Sequence, residues 1–455
     1  MTKRFLVAIA FAFATSCAIV AGASASAFSN TVLRGTWSPP PGLTASPVAN
    51  SSGDSEPAIA FGSDGAMAVD GLGWLPFQVN LWKGTFGSTP SYFGAMDTNL
   101  SINGKGRQEL GDEDADVEIT SAGTTLLADL DLILVGNTFK LGVSVTRCPA
   151  GTSSPAGCTT AQLDTAGADR PWITTNGTTA WVSYHDSQNS TMIRVKKSTD
   201  DGRTWSASGS PLVGQGDITG NSTFNNSNGP IVADPTTGNV YSGFMGGEQQ
   251  TKCCSANYNN VYVSRSTDGG AHYTASLVFH AAPFTRLNNF WPVVAVDSTR
   301  GTVWTAWTDQ HGVWVSSSTD HGATWSIATK VSTIATTVMP WIAARNGKVD
   351  VVYYGSTASS PDDPNAVWNT YDSQTTGGTW TVKQVSNTPN RIGRVCLEGS
   401  GCVGNVDREL LDLFEVAEDP VSGKAAVIYT DSTLSTWTFN GTTRELPEIV
   451  LAFEQ

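Results

Sequence analysis

Charge is scarce in this chain. Asp, Glu, Lys and Arg together make up 15% of its 455 residues, and no long stretch carries apolar residues at helical spacing, so very little helix is expected. The charge present leans acidic, 40 Asp and Glu against 26 Lys and Arg, a net −14 that repels phosphate backbones and makes nucleic acid an unexpected partner. Histidine is rarer still. The five are scattered (His185, His272, His280, His311, His321) and form no zinc or iron spacing. Beyond the N-terminus no apolar run is long enough to span a bilayer.

What is abundant points to sheets. Gly counts 46 and Trp 15, with Ser and Thr crowding the connections, a composition for short strands and tight turns. The N-terminus reads as an export signal: "MTKR" is the positive start, "FLVAIAFAFA" the apolar core and "AGASASA" the small-residue cleavage region. Cleavage after Ala27 or Ala25 is expected, giving a secreted protein with residues 28–455 as one domain; lipid attachment at Cys17 is the alternative. Six cysteines then remain in an oxidising compartment. Cys148 with Cys158 and Cys396 with Cys402 read as loop staples. The adjacent Cys253 and Cys254 read either as a vicinal disulfide or as two buried thiols.

An internal repeat sets the architecture. Pro or an acidic residue precedes a short apolar strand, a turn and a second strand seven times, at residues near 57, 115, 171, 230, 292, 340 and 412. The copies include "SEPAIAFGSDGAMAVDG", "DRPWITTNGTTAWVSYHD" and "FWPVVAVDSTRGTVWTAW". About four strands per unit at such a period predict an all-β protein, a seven-bladed propeller of four-stranded antiparallel blades, or six-bladed if the first copy is only an extension. The first strand of each unit should line the central channel.

A second phrase follows the third strand. It reads "STDDGRTW" from Ser198, "STDGGAHY" from Ser266, "STDHGATW" from Ser318, and "SQTTGGTW" from Ser373, where letter matching puts Thr375 at the place of the Asp. The hydroxyl and carboxylate can bond turn amides, the Gly accepts a strained conformation and the Trp packs between sheets, so Asp200, Asp268 and Asp320 are read as folding residues.

The phrase resembles the Asp-box of bacterial neuraminidase repeats, and the chain is similar to secreted bacterial members of the sialidase superfamily, "DRPW" at Asp169 and "DRELLDLFEVAEDP" at Asp407 included. The resemblance implies a propeller, a three-arginine clamp for a substrate carboxylate, a Tyr nucleophile with a Glu, and an Asp acid/base. The family's early Arg-Ile-Pro motif has no counterpart, since Gly35 and Thr36 follow Arg34. Arg170 and Arg408, just before inner strands, and Arg391 and Arg394, in the stapled loop ahead of the seventh, are the candidates from which a three-arginine clamp could form. Asp114 and Asp169 are candidate acids with Glu56 and Glu409 behind them. Tyr184, Tyr353 and Tyr354 are candidate nucleophiles, and the bland alternatives are Arg170–Asp169 and Arg408–Asp407 ion pairs and core tyrosines. His185–Asp186 is a weaker acid/base candidate. In "GDEDADVE", Asp112, Asp114 and Asp116 offer calcium oxygen ligands or else form a solvated acidic run; no other cofactor is expected.

The expected function is a secreted, monomeric sialidase-like glycoside hydrolase acting on extracellular acidic glycans. The alternatives are a non-catalytic propeller binding glycan or protein at the cell surface, using Trp291, Trp304, Trp307 and Trp341, or a polysaccharide lyase on the same scaffold.

Overall fold

A computed structural model describes residues 27–35, 53–73, 78–96, 107–135, 138–165, 167–186, 192–212, 226–246, 258–282, 285–287, 291–397, 402, 407–439 and 442–455. Residues 1–26, all but the last residue of the expected export signal, and Cys253 and Cys254 lie outside them. Of residues 107–113, 134–135, 138–139, 226, 437–439 and 442 only the backbone is described.

Seven antiparallel sheets follow one another as the blades of a β-propeller. The first sequence copy is therefore a true blade, built on Ile59–Phe61 and Ala66–Gly73. The other inner strands are Arg107–Ile119, Ala168–Asn176, Asn226–Ala233, Val293–Asp297, Thr336–Arg345 and Glu415–Glu418. No α-helix occurs among the described residues, and Pro155–Gly157 forms a single 3-10 turn. The N-terminal strand Phe28–Leu33 closes the ring as the outermost strand of blade 7, antiparallel to Thr442–Glu454 with Phe28 opposite Glu454.

The channel has two unlike halves. On one side Trp172 (blade 3) packs on Trp291 at 5.1 Å and on Trp341 of blade 6 at 5.5 Å between ring centroids, filling the space with aromatic surface. On the other, Asp70, Asp116, Glu118 and Glu415 come from blades 1, 2 and 7. Two of these carboxylates bridge neighbouring blades, Glu415 accepting the Ile59 N–H at 2.9 Å and Asp116 the Ile173 N–H at 2.8 Å. Burial raises all four above the usual carboxylate range, Glu118 to about 7.

The turns of the repeated phrase stand at the end of the blades where the first strand turns into the second, away from the inner-strand starts. In the first, Ser198 donates to Asp200 at 2.8 Å and accepts the Gly202 N–H at 3.0 Å, while Asp200 takes the Thr204 N–H and hydroxyl at 2.9 and 2.6 Å. Asp320 repeats this with Thr324. In the relaxed copy the His272 ring, 2.7 Å from Asp268, replaces the Thr hydroxyl. The turns also staple blades. The residue after the Asp is left-handed in each copy (Asp201 φ 63°, Gly269 φ 70°, His321 φ 57°), and its carbonyl accepts from the preceding blade. Arg147 bonds Asp201 O at 2.6 Å, Trp181 bonds Gly269 O at 3.0 Å and Tyr241 bonds His321 O at 3.3 Å.

Register corrects the fourth copy. Ala180 pairs with Ser198 and Val303 with Ser318, and the matching pair in blade 6 is Val349 with Thr375. Thr375 thus stands at the Ser position, not the Asp position, in a turn two residues shorter, and its hydroxyl accepts the Gly377 and Gly378 N–H groups at 3.2 Å. Blade 2 closes the same turn covalently through Cys148–Cys158. Cys396–Cys402 is the second expected staple present.

Candidate active site at the channel mouth

Each inner strand starts at the other mouth, and in five blades the backbone near that end is kinked. Glu56, Asp114, Arg170, Met339 and Leu411, which immediately precede the repeat positions 57, 115, 171, 340 and 412 in blades 1, 2, 3, 6 and 7, all have left-handed φ, between 32° and 57°. The strand register slips beside them, between Glu113 and Ala115 and between Asp169 and Trp172. Non-glycine residues adopt this conformation only where the surroundings hold them in it, and such positions cluster at functional sites.

In three successive blades the kink places Glu56, Asp114 and Arg170 against one another. Arg170 Nη1 lies 2.8 Å from Glu56 Oε1 and 3.4 Å from Asp114 Oδ1, and Nη2 lies 2.7 Å from Asp412 Oδ2, which comes from blade 7. Arg408 Nη2 reaches the same Asp412 oxygen at 3.0 Å. The Asp412 N–H donates to Glu56 at 3.0 Å, and the Arg170 guanidinium lies 4.5 Å above the Trp291 ring, joining the acidic half of the channel to the aromatic half.

Burial pushes Glu56 up to about 7 and Asp114 up to about 6, in both cases against the opposing pull of Arg170; the neighbouring carboxyl of Asp114 lifts Glu56 further. Asp169 and Asp412 are raised by burial as well. Asp114 is 13% exposed in its side chain and Glu56 1%, so Asp114 is the one a solute reaches, with Glu56 beneath it.

The structure thus brings together Asp114, Arg170 and Arg408 of the expected set, with Asp169 in the same field. It does not assemble the expected clamp from the others. Arg391 binds Glu445 and, at 3.1 Å, Glu409, while Arg394 binds Asp407 at 2.8 Å. The bland ion pairs are corrected too: Arg170 bonds carboxylates from other blades, and Asp407 serves Arg394 while Arg408 serves Asp412. Tyr184 donates across to Asp164 of blade 2 at 2.8 Å and the buried Tyr353 hydroxyl meets Ser373 of its own blade at 3.1 Å, so both hydroxyls are engaged away from Arg170. Tyr354 accepts the Thr430 N–H at 2.9 Å and is raised first by burial, then by the charges of Asp431 and Glu56. Asp186 is bound by Arg194 at 2.6 Å. Of the calcium candidates, Asp114 is spent on Arg170 and Asp116 on the Ile173 amide, and the Asp112 side chain lies outside the described residues. Among the described residues no group of three or more His, Cys, Asp or Glu is placed to hold a metal ion.

Of the tryptophans offered for sugar stacking, Trp307 is fully buried and Trp291 lies beneath Arg170, while Trp304 packs edge-on to Trp380 at 6.3 Å. Sequence reading missed Asp412. Its signal was present: Asp412 occupies the place that proline holds in blades 1, 3, 4, 5 and 6.

The molecule is a seven-bladed β-propeller with an ion-paired, carboxyl-rich mouth, the architecture that the resemblance implies. No protein-family model matches the chain, and no curated protein does. Solved structures are similar in part. A protein of unknown function from Dyadobacter fermentans is 15% identical, with 73% of this chain and 94% of that one covered and a TM-score of 0.45. A Hadza microbial sialidase is 12% identical over 74% of this chain and 66% of that one, with a TM-score of 0.46, so the match spans just under two thirds of its length. An α-L-arabinofuranosidase from Fusarium graminearum is 11% identical over 92% and 97%, also at 0.46.

Proposed function

We propose that the protein is a glycoside hydrolase whose chemistry runs on Asp114 and Asp169 beside Arg170. The supporting observation is the gathering of carboxyls from blades 1, 2 and 7 around one guanidinium in a buried site, where burial brings Asp114 to about 6 and Glu56 to about 7 and protons exchange readily near neutrality. Protonated Asp114 gives its proton to the glycosidic oxygen as the C1–O bond breaks. Asp169 takes a proton from the water that adds to C1 and later releases it to solvent, while Asp114 regains its proton from Glu56 beneath it, which is in turn reprotonated from solvent. The resemblance implies an exo-α-sialidase acting on acidic glycans; the residues of the site support the reaction class, and their charge favours a different sugar. The Ser and Asp bonding of the repeated turns supports reading them as Asp-boxes. An extracellular setting, with cleavage near Ala27 and a monomeric single domain over residues 28–455, is supported by the two disulfides and the export-like N-terminus.

The test is release of the fluorophore from a panel of umbelliferyl glycosides, sialic acid included, between pH 4 and 9. Asp114→Asn and Asp169→Asn should each lower kcat/KM by about 10²–10⁴-fold. An Asp114→Asn protein as active as wild type would overturn the residue assignment, and no turnover on any glycoside would overturn the reaction.

A further inference from the structure

From the charge at the mouth we infer that the sugar this site accepts is uncharged, and that Glu56 and Asp412 are the residues that turn carboxylated sugars away. The inference deepens the hydrolase reading and rests on it for the location of the site. It runs against the acidic substrate that the sialidase resemblance implies.

Binding a sugar carboxylate requires a guanidinium with a fork of N–H groups to spare, because the paired geometry is where the affinity lies. The Nη1–Nη2 edge of Arg170 is already engaged by protein carboxylates. Nη1 is taken by Glu56 at 2.8 Å with Asp114 at 3.4 Å, Nη2 by Asp412 at 2.7 Å, and one face of the guanidinium rests on Trp291. Arg408 turns its Nη2 to the same Asp412. A carboxylate approaching the Nη1–Nη2 edge would have to displace one that is covalently part of the protein and almost wholly buried, Glu56 at 1% and Asp412 at 2% side-chain exposure. A tethered, pre-organised anion wins that competition, since the free ligand must also give up its translational freedom and its hydration.

The net field gives the same answer. Arg170 and Arg408 carry two positive charges against the carboxyls of Glu56, Asp114, Asp169 and Asp412, so once these ionise the mouth is negative. Like charge in a poorly solvated site is a strong rejection term, and rejection by repulsion is how many specific sites exclude a close analogue. A neutral ring meets no such penalty. Its hydroxyls can donate to Asp114 and Asp169, which are acceptors when ionised.

The experiment reads binding, so it stands apart from turnover. The protein is titrated calorimetrically at pH 7.5 with arabino-, xylo- and galacto-oligosaccharides as neutral probes, and with 3′-sialyllactose and an oligogalacturonide as anionic ones. At least one neutral probe should bind, with both anionic probes at least tenfold weaker. At pH 5, where Glu56 and Asp114 are largely protonated, the gap should narrow. The double variant Glu56→Gln/Asp412→Asn frees both Arg170 nitrogens, and its 3′-sialyllactose affinity should rise at least tenfold at pH 7.5. Should that variant not fold, the pH 5 comparison on wild type carries the test alone. Sialyllactose binding to wild type at pH 7.5 as tightly as the best neutral probe overturns the inference, and so does failure of every neutral probe to bind. Neutral binding without hydrolysis of any glycoside would leave the inference standing and sink the hydrolase reading.

Discussion

Arg170 and Asp412 are 242 residues apart in sequence and 2.7 Å apart in space, one at the head of blade 3 and the other at the head of blade 7. Their contact ties the two sides of the ring together at the channel mouth, in a place where three carboxyls share one buried cation.

Removing that cation should cost more at high pH than at low. Arg170→Ala leaves Glu56, Asp114 and Asp412 facing one another, and breaking a buried pair from one side typically costs about 3–5 kcal/mol. At pH 5 much of this is relieved because the carboxyls protonate. Urea denaturation of wild type and variant at pH 5 and pH 8 measures it; equal losses at the two values would contradict the ion-pair account.

Wild-type stability should fall as pH rises. Glu56, raised from 4.5 to about 7, and Asp114, raised from 3.8 to about 6, are protonated more readily in the fold than in the unfolded chain. The stabilisation they give is fully present below about pH 4 and is lost as pH climbs through 6 and 7. Thermal midpoints should therefore drop across pH 4–8, and Glu56→Gln should flatten the slope. A midpoint that rises steadily over this range would refute it.

The first of the repeated turns should matter through the residue after its Asp. Asp201 accepts from Thr120 at 2.7 Å and Thr124 at 2.8 Å and pairs with the buried Arg147, all of blade 2. Asp201→Ala strands Arg147 and should destabilise the fold by about 3 kcal/mol. Denaturation midpoints of Asp201→Ala and of the double variant with Arg147→Met decide it: the double variant should recover part of the loss.

The staple of blade 2 should be worth something of the same order. Cys148 and Cys158 close a loop with a sequence separation of 10, and a loop that short stabilises by about 2–3 kcal/mol. Cys148→Ser/Cys158→Ser should lower the denaturation midpoint accordingly, with the circular dichroism spectrum unchanged. No shift would mean that the hydrogen bonds of the turn hold it without the sulfurs.

The ring was legible in the sequence because it is built from local signals. Proline or acid, then strand, turn and strand, recurs in every blade, and the repeated phrase marks three outer turns by chemistry that its own eight residues complete. What sequence could not show is long-range. Asp169 is Arg170's chain neighbour and its natural partner on paper, yet the left-handed backbone turns Arg170 toward Glu56 and Asp412. Letters also misled at Thr375, where matching Ser373 to Ser198 ignored the two-residue shortening that only strand register reveals. The expected clamp failed for a related reason: Arg391 and Arg394 lie close to Arg408 in sequence, but each finds a carboxylate in its own neighbourhood before it can reach the axis.

The strand Phe28–Leu33 has a role beyond completing its sheet. It covers the edge of Thr442–Glu454, so a molecule clipped ahead of Gly53 offers that edge, with its amides and carbonyls unpaired, to the matching segment of another copy. Residues 28–33 thus decide whether that edge is covered within one molecule or left open to another.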